Sequence, residues 1–307
     1  MSQKKLISII IPAYNYADKL PRAISSVVEQ LNEKHELIVI NDGSTDNTLQ
    51  VLQALQALSK KPFKIIGKEN GGLASVRNRG IQEAASDYLI FLDADDELDT
   101  DALEYIEGHI SHNPTSKMII GGYTSISPEG ERLRVSLPRK LPKSSKKRVE
   151  AYLIDKTISL ANGATVMHKT LFERGVYPEH FRNAEDIPVF AQALANYKCT
   201  VLSESLALIH KHETSLRNNV DYDRAVGMAL VDEVFSTKRL PSCFKKLEKK
   251  FKVQRALSLF RAFYMAGLNK EALEMYCLAV NSDWRAVFNY SYTTKYLRLL
   301  FRRCPDE

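Results

Sequence analysis

Through the first hundred residues, short unbroken apolar runs alternate with stretches of helical periodicity. Residues 6–11 (Leu-Ile-Ser-Ile-Ile-Ile), 36–40, 63–66 and 88–92 carry the runs, and each predicts a strand. Between them, residues 20–31, 47–58 and 74–85 read as helices; in the second, Leu49, Leu52, Leu55 and Leu58 fall on neighbouring turns. Strands that are apolar throughout and separated by helices indicate a parallel sheet covered on both faces. Such sheets bind ligands beyond the carboxyl ends of their strands. The segment after each strand is therefore where chemistry is expected.

The pattern thins after residue 100. A helix is expected over 101–110, strands over 118–121 and 164–168, and a helix over 184–197. Residues 137–147, with two prolines and several lysines, predict a loop. From residue 221 onward the chain reads as wholly helical. Residues 257–280 resemble one helix-turn-helix of tetratricopeptide type, turning at 266–269, and a single unit is expected to pack rather than build a solenoid.

Composition narrows the class. In 307 residues, 44% are hydrophobic and 26% charged, which argues for a globular protein and against disorder. The four cysteines are scattered with no CxxC pair, so neither a structural zinc nor a disulfide framework is expected, and a reducing, cytoplasmic setting fits. The run at 6–11 is too short for a signal segment or a membrane span, and no later run is long enough.

Charge adds one more feature. The net +6 is uneven: from Lys238 on there are 15 Lys/Arg against 6 Asp/Glu, or +9, which leaves −3 for the rest. A basic helical tail suggests an anionic surface, and no nucleic-acid motif accompanies it. Lys245, Lys246, Lys249, Lys250 and Lys252 lie near Phe244, Leu247 and Phe251; Arg298, Arg302 and Arg303 lie among Leu297, Leu299, Leu300 and Phe301. Apolar groups beside a basic rim are what helices lying on anionic membranes present. Peripheral contact with the cytoplasmic face of the inner membrane is one expectation; packing of those apolar groups on the body is the rival.

The segments after the four strands are polar, Gly-rich or acidic: Pro12-Ala13-Tyr14-Asn15, Asn41-Asp42-Gly43-Ser44-Thr45-Asp46, Asn70-Gly71-Gly72 and Asp93-Ala94-Asp95-Asp96. Two carboxylates one residue apart, as in Asp93-Ala94-Asp95, can hold a hard cation such as Mg²⁺ or Mn²⁺ and neutralise a departing diphosphate. Taken alone, the same acids could simply decorate a helix N-terminus. Asp42 can accept the N3–H of a uracil or thymine beside a tight turn at Gly43, although an Asx turn followed by a helix cap reads the same way. Asn70-Gly71-Gly72 allows close backbone approach, and Arg77 and Arg79 carry guanidinium groups suited to phosphate, unless the segment is an ordinary surface turn leading into a helix.

In order and spacing, these segments, together with Arg77-Asn78-Arg79-Gly80, resemble the family 2 inverting glycosyltransferases of the GT-A fold. The match covers roughly residues 5–100. The resemblance implies an α/β GT-A fold, with a mostly parallel sheet, that holds a donor half over 1–100 and an acceptor-binding and catalytic-base half over 101–220. The C-terminal helical region over 221–307 is read from the sequence and lies outside the resemblance. It assigns Pro12, Tyr14, Asn15, Asp42, Asn70, Gly71, Arg77, Asp93, Ala94 and Asp95 to a UDP- or dTDP-sugar, with Asp93 and Asp95 handling ribose and the metal-diphosphate.

More thinly, Ala184-Glu185-Asp186-Ile187-Pro188 resembles the family's Glu-Asp motif, which supplies the general base for an inverting transfer. Asp186 is expected to be the base, with Glu185 beside it. His210-Lys211-His212-Glu213-Thr214-Ser215 resembles a late segment usually written Arg-x-His-x-x-Ser, so His212 would complete the metal or diphosphate site with Asp93 and Asp95; His210 stands where Arg is common. The acceptor implied is a saccharide or glycolipid of a bacterial surface polysaccharide such as lipopolysaccharide or capsule. A sugar-nucleotide nucleotidyltransferase would want a Gly-rich basic loop after the first strand. A non-catalytic binding module would have lost the acids, and a dehydrogenase would need GxGxxG there.

Overall fold

The structure is a computed structural model that describes residues 5–211 and 219–301. His212, Arg302 and Arg303 lie outside the described residues. The first part runs β1 (Ile7–Ala13), α1 (Leu20–Val28), β2 (His35–Asn41), α2 (Thr48–Leu58), β3 (Lys64–Gly67), α3 (Leu73–Glu83) and β4 (Tyr88–Phe91). Each expected element of this half is present, with ends shifted by a few residues.

Strand β1 shows why. Its alternate side chains leave opposite faces, and both faces are covered. Ile7, Ile9 and Ile11 join the cluster under α1, with Leu20, Ala23, Ile24 and Val27. Ile10 joins the cluster on the other side, with Ala74 and Val76 of α3. Each fully buried isoleucine is worth about 1.5–3 kcal/mol, so the run has no solvent face to spare. Gly80 lets α3 lie close to the sheet: a Cβ there would stand 2.7 Å from Ile10 Cγ2.

Next come β5 (Glu97–Leu98), α4 (Ala102–His112), β6 (Met118–Ile126), β7 (Arg132–Ser136), α5 (Ser145–Leu153), β8 (Thr165–His168), α6 (Asp186–Asn196) and β9 (Cys199–His210). The nine described strands form one sheet ordered β3-β2-β1-β4-β8-β6-β9-β5, with β7 paired to β6. The four strands of the first half are parallel; β8 then joins β4 antiparallel, while β6 and β9 run parallel to one another. Residues 145–147, read from sequence as loop, open α5 instead: Val149 and Leu153 are buried, and their spacing anchors the helix against the core.

Beyond the sheet lie α7 (Val220–Val226), α8 (Ala229–Val234), α9 (Lys245–Met265), α10 (Asn269–Ser282) and α11 (Tyr290–Phe301). The expected helix-turn-helix is the α9–α10 pair, and a third cluster joins Phe260, Phe263, Tyr276 and Leu299. The segment around Lys245–Lys252 corrects one expectation. Phe244, Leu247 and Phe251 are buried in the main core with Val231 and Val234, so they are not available to a membrane. Of the lysines there, Lys250 pairs with Glu150 at 2.6 Å, and Lys245 pairs with Glu248. Among the described residues no helix is long and apolar enough to cross a membrane.

Candidate active site

The carboxyl ends of β1, β2, β3 and β4 meet at one edge. Pro12 and Ala13 close β1, buried beside Ile40 and Asn41 of β2. Tyr14 and Asn15 follow on the surface. Asn15, in the left-handed region at φ 55°, accepts from the Thr45 N–H at 2.8 Å, and its own N–H donates to Ser44 Oγ at 3.0 Å. The first two loops are thus laced together.

Asp42, 2% exposed, is gripped by the third loop. Its Oδ1 accepts from Lys68 Nζ at 2.6 Å and from the Gly71 N–H at 3.0 Å, and its Oδ2 accepts from the Gly72 N–H at 2.8 Å. Asn70 Nδ2 donates to the Asp42 carbonyl oxygen at 3.0 Å. The glycine demand at 43 comes from this loop, since a Cβ on Gly43 (φ +68°) would stand 2.9 Å from the Asn70 nitrogen. Lys68 was not singled out from sequence, yet it stands immediately after β3, where the rule of strand ends would have placed it.

The fourth loop holds the paired acids. Ala94 is buried, and Asp93 and Asp95 are half-buried on either side of it. Arg22 of α1 donates to the Asp95 carbonyl oxygen at 2.7 Å. Tyr16, which sequence reasoning missed, has its hydroxyl pKa raised by burial and by the fields of Asp95 and Asp93. His210 closes this edge, with Nε2 2.6 Å from Glu97 Oε1 and its N–H donating to Asp96 Oδ1 at 2.9 Å.

Arg77 connects this edge to the second half of the molecule. Nearly all of its side chain is buried. Nη2 donates to Asp93 Oδ1 at 3.0 Å, Nη1 donates to Glu185 Oε1 at 2.5 Å, and the guanidinium lies 5.4 Å from the Tyr177 ring centre. Burial works against the Arg77 charge, but Asp93 and Glu185 outweigh it and hold its proton more firmly than usual. Burial pushes the Asp93 carboxyl up, against the pull of Arg77. Arg77 is thus engaged by carboxylates within the protein, contacts that the sequence motif did not disclose.

Next to Arg77, Asn78 clasps the same segment: its Oδ1 accepts from the Tyr177 N–H at 3.0 Å, and its Nδ2 donates to Glu179 at 2.8 Å. Glu185 and Asp186 follow Ala184, whose φ of 59° is unusual for a residue with a Cβ. Asp186 opens α6 and stays half-buried. Its field, after burial, helps raise the Tyr152 hydroxyl.

Asp93 and Asp95 offer carboxylate oxygens of the kind a hard divalent cation prefers. Among the described residues no three or more metal-ligating side chains come together.

Against known proteins, the model of Glycosyl transferase family 2 matches residues 8–176. The chain is 29% identical over 262 residues to the poly(ribitol-phosphate) beta-N-acetylglucosaminyltransferase TarP of Staphylococcus aureus, covering 80% of this chain and 76% of that one. It is 36% identical over 125 residues to the chondroitin synthase of Pasteurella multocida, a match that takes in 41% of this chain and only 13% of the synthase. Among solved structures, S. aureus TarS 1-349 in complex with UDP-GlcNAc superposes with a TM-score of 0.67 at 16% identity, covering 96% of this chain and 89% of that one. A mannosyltransferase of Pyrobaculum calidifontis in complex with GDP-Man and Mn²⁺ gives 0.58 at 16% identity, covering 98% of this chain and 85% of that one. These two likenesses establish the shared GT-A architecture.

Proposed function

The chain belongs to glycosyl transferase family 2, and from that premise we propose that it moves one sugar, with inversion, from a UDP- or dTDP-sugar to a saccharide or glycolipid acceptor of a bacterial surface polysaccharide. One observation carries this reading: Arg77 joins Asp93 of the paired acids to Glu185 of the Glu-Asp pair, so donor and base segments share one buried clasp. Residues 1–100 form the donor half, 101–220 the acceptor and base half, and 221–307 the helical buttress.

Asp42 reads the base. A carboxylate offers about four acceptor positions, and three are taken by Lys68, Gly71 and Gly72. The position left suits a single N–H such as N3–H of uracil or thymine. Pro12, Tyr14, Asn15, Asn70 and Gly71 line the same edge. Asp93 and Asp95, with His212 from the segment after β9, would hold Mg²⁺ or Mn²⁺, which when bound supplies positive charge for the departing diphosphate. Asp186, half-buried at the start of α6, takes the acceptor hydroxyl proton, while Glu185 stays with Arg77 and fixes the turn before it. A cytoplasmic setting and contact with an anionic membrane would bring a lipid-linked acceptor to this edge.

The resemblance to TarP, and the UDP-GlcNAc held by TarS, make UDP-GlcNAc the first donor to try. A panel of UDP-, dTDP- and GDP-sugars is offered with Mn²⁺ or Mg²⁺, and nucleotide diphosphate release is measured. Release from a uridine or thymidine donor is expected; release from GDP-sugars alone would overturn the assignment of Asp42.

A further inference from the structure

Away from the catalytic edge, one surface keeps its aromatic groups in solvent. Trp284 is 65% exposed, Phe288 58%, Tyr290 77% and Phe301 78%. Trp284 and Phe288 stand edge to face, 5.5 Å between ring centres, on a short 3-10 turn that packs against α10 and α11.

Helix α11 divides into three stripes at helical spacing. Tyr292, Tyr296 and Leu299 face the third hydrophobic cluster. Tyr290, Leu297 and Phe301 recur at intervals of seven and four and remain exposed. Lys295 and Arg298 lie between these two stripes, with Lys295 Nζ 5.8 Å from the Tyr292 ring centre. From Trp284 to Arg303 the sequence holds five Lys/Arg and no Asp/Glu. Arg285 is partnered by Asp283 at 2.7 Å, so Lys295 and Arg298 carry the positive charge of the described part.

Scattered exposed apolar residues need no explanation, but here the Trp284–Phe288 pair precedes a helix that keeps Tyr290, Leu297 and Phe301 in solvent on one face. Aromatic rings with a basic flank, and with Asp283 already neutralised by Arg285, fit the boundary between lipid headgroups and acyl chains. A second copy of the chain fits less well. A two-fold contact is made by the same patch on both subunits, so Lys295 and Arg298 would face a patch of their own sign.

We propose that Trp284, Phe288 and the Tyr290–Leu297–Phe301 stripe form a membrane-docking edge that rests on anionic phospholipid, with Lys295 and Arg298 against the headgroups. This deepens the membrane contact proposed above. It also moves that contact from the segment around Lys245–Lys252, whose apolar residues are buried, to α11 and the turn before it.

Trp284 is the only tryptophan in the chain, so its fluorescence reports on the proposed surface directly. The full-length protein is titrated with vesicles of phosphatidylglycerol and phosphatidylcholine, or of phosphatidylcholine alone, at low and high salt. UDP-GlcNAc turnover on a soluble acceptor is followed separately. The expected result is a blue shift and co-sedimentation with anionic vesicles only, reversed by salt. Lys295→Gln with Arg298→Gln should lower partitioning about 30-fold, taking about 1 kcal/mol per basic residue. Phe288→Ala should reduce both shift and binding while thermal unfolding stays in place. No shift at low salt, or binding left unchanged by these variants, overturns the proposal. A blue shift that grows with protein concentration in the absence of vesicles also overturns it, in favour of self-association. Turnover without vesicle binding would leave the transferase reading standing and remove only the docking edge.

Discussion

Arg77→Met is the sharpest test of the buried clasp, because it removes the charge while keeping an unbranched side chain. Arg77 and Glu185 are 1% and 6% exposed, and Nη1 reaches Glu185 at 2.5 Å. Removing one partner of a buried pair leaves the other charge without compensation, at a cost of about 3–5 kcal/mol. Asp93 loses the same partner, but its side chain is 36% exposed, so water offsets part of that loss and its contribution is smaller. At about 2 °C of melting temperature per kcal/mol for a chain of this size, the variant should melt about 6–10 °C lower. The double variant Arg77→Met with Glu185→Gln should recover about 2 kcal/mol, since an amide in that place carries no stranded charge. Urea denaturation followed by far-UV circular dichroism measures each of the three proteins. A loss below about 1 kcal/mol for Arg77→Met, or no recovery in the double variant, would falsify the claim that Glu185 depends on Arg77 for compensation.

Three further outcomes follow from other parts of the site. Asp186→Asn should keep UDP affinity within about twofold and lower turnover by about 10² or more, since an amide cannot take the acceptor proton; calorimetry and steady-state rates check the pair, and normal turnover moves the base to Glu185. Asp95→Ala should abolish the turnover that Mn²⁺ restores to EDTA-treated wild type, with little change in melting temperature because the side chain is half-buried; activity of the variant in excess EDTA refutes the metal role. Gly80→Ala sets two effects in opposition: helix propensity favours alanine by about 1 kcal/mol, but its Cβ would stand 2.7 Å from Ile10 Cγ2 in a filled core, where overpacking costs about 1–3 kcal/mol. Net destabilisation in urea is expected, and a more stable variant shows that the helix can move off the sheet.

What the sequence could show depended on how each residue's surroundings are encoded. Strands β1, β2 and β4 are buried on both faces, and unbroken runs of apolar residues announce that without reference to partners. The acids after β4 and the turn after β2 were readable because the chemistry sits in consecutive residues. Strand β7 was not, since Leu133 and Val135 are both about half exposed and no alternation marks a buried face. Strand β9 is interrupted by the polar run Ser203-Glu204-Ser205, and its pairing with β6 and β5 depends on partners distant in the chain. The site divides the same way. Asp42, Asp93 and Asp186 could be named from local motifs, but the gripping of Asp42 by Lys68 and of Glu185 by Arg77 spans 26 and 108 residues. Buried charge requires a partner, and burial is a property of the folded molecule. Read alone, Arg77 offers a cation for phosphate; its burial against Asp93 and Glu185 shows that it also compensates carboxylates. The same reasoning relocates the tail's apolar residues. At Phe244, Leu247 and Phe251 the body supplies a partner surface, and at Trp284, Phe288 and Phe301 it does not. A periodicity shared by both segments therefore ends as core in one and as exposed surface in the other.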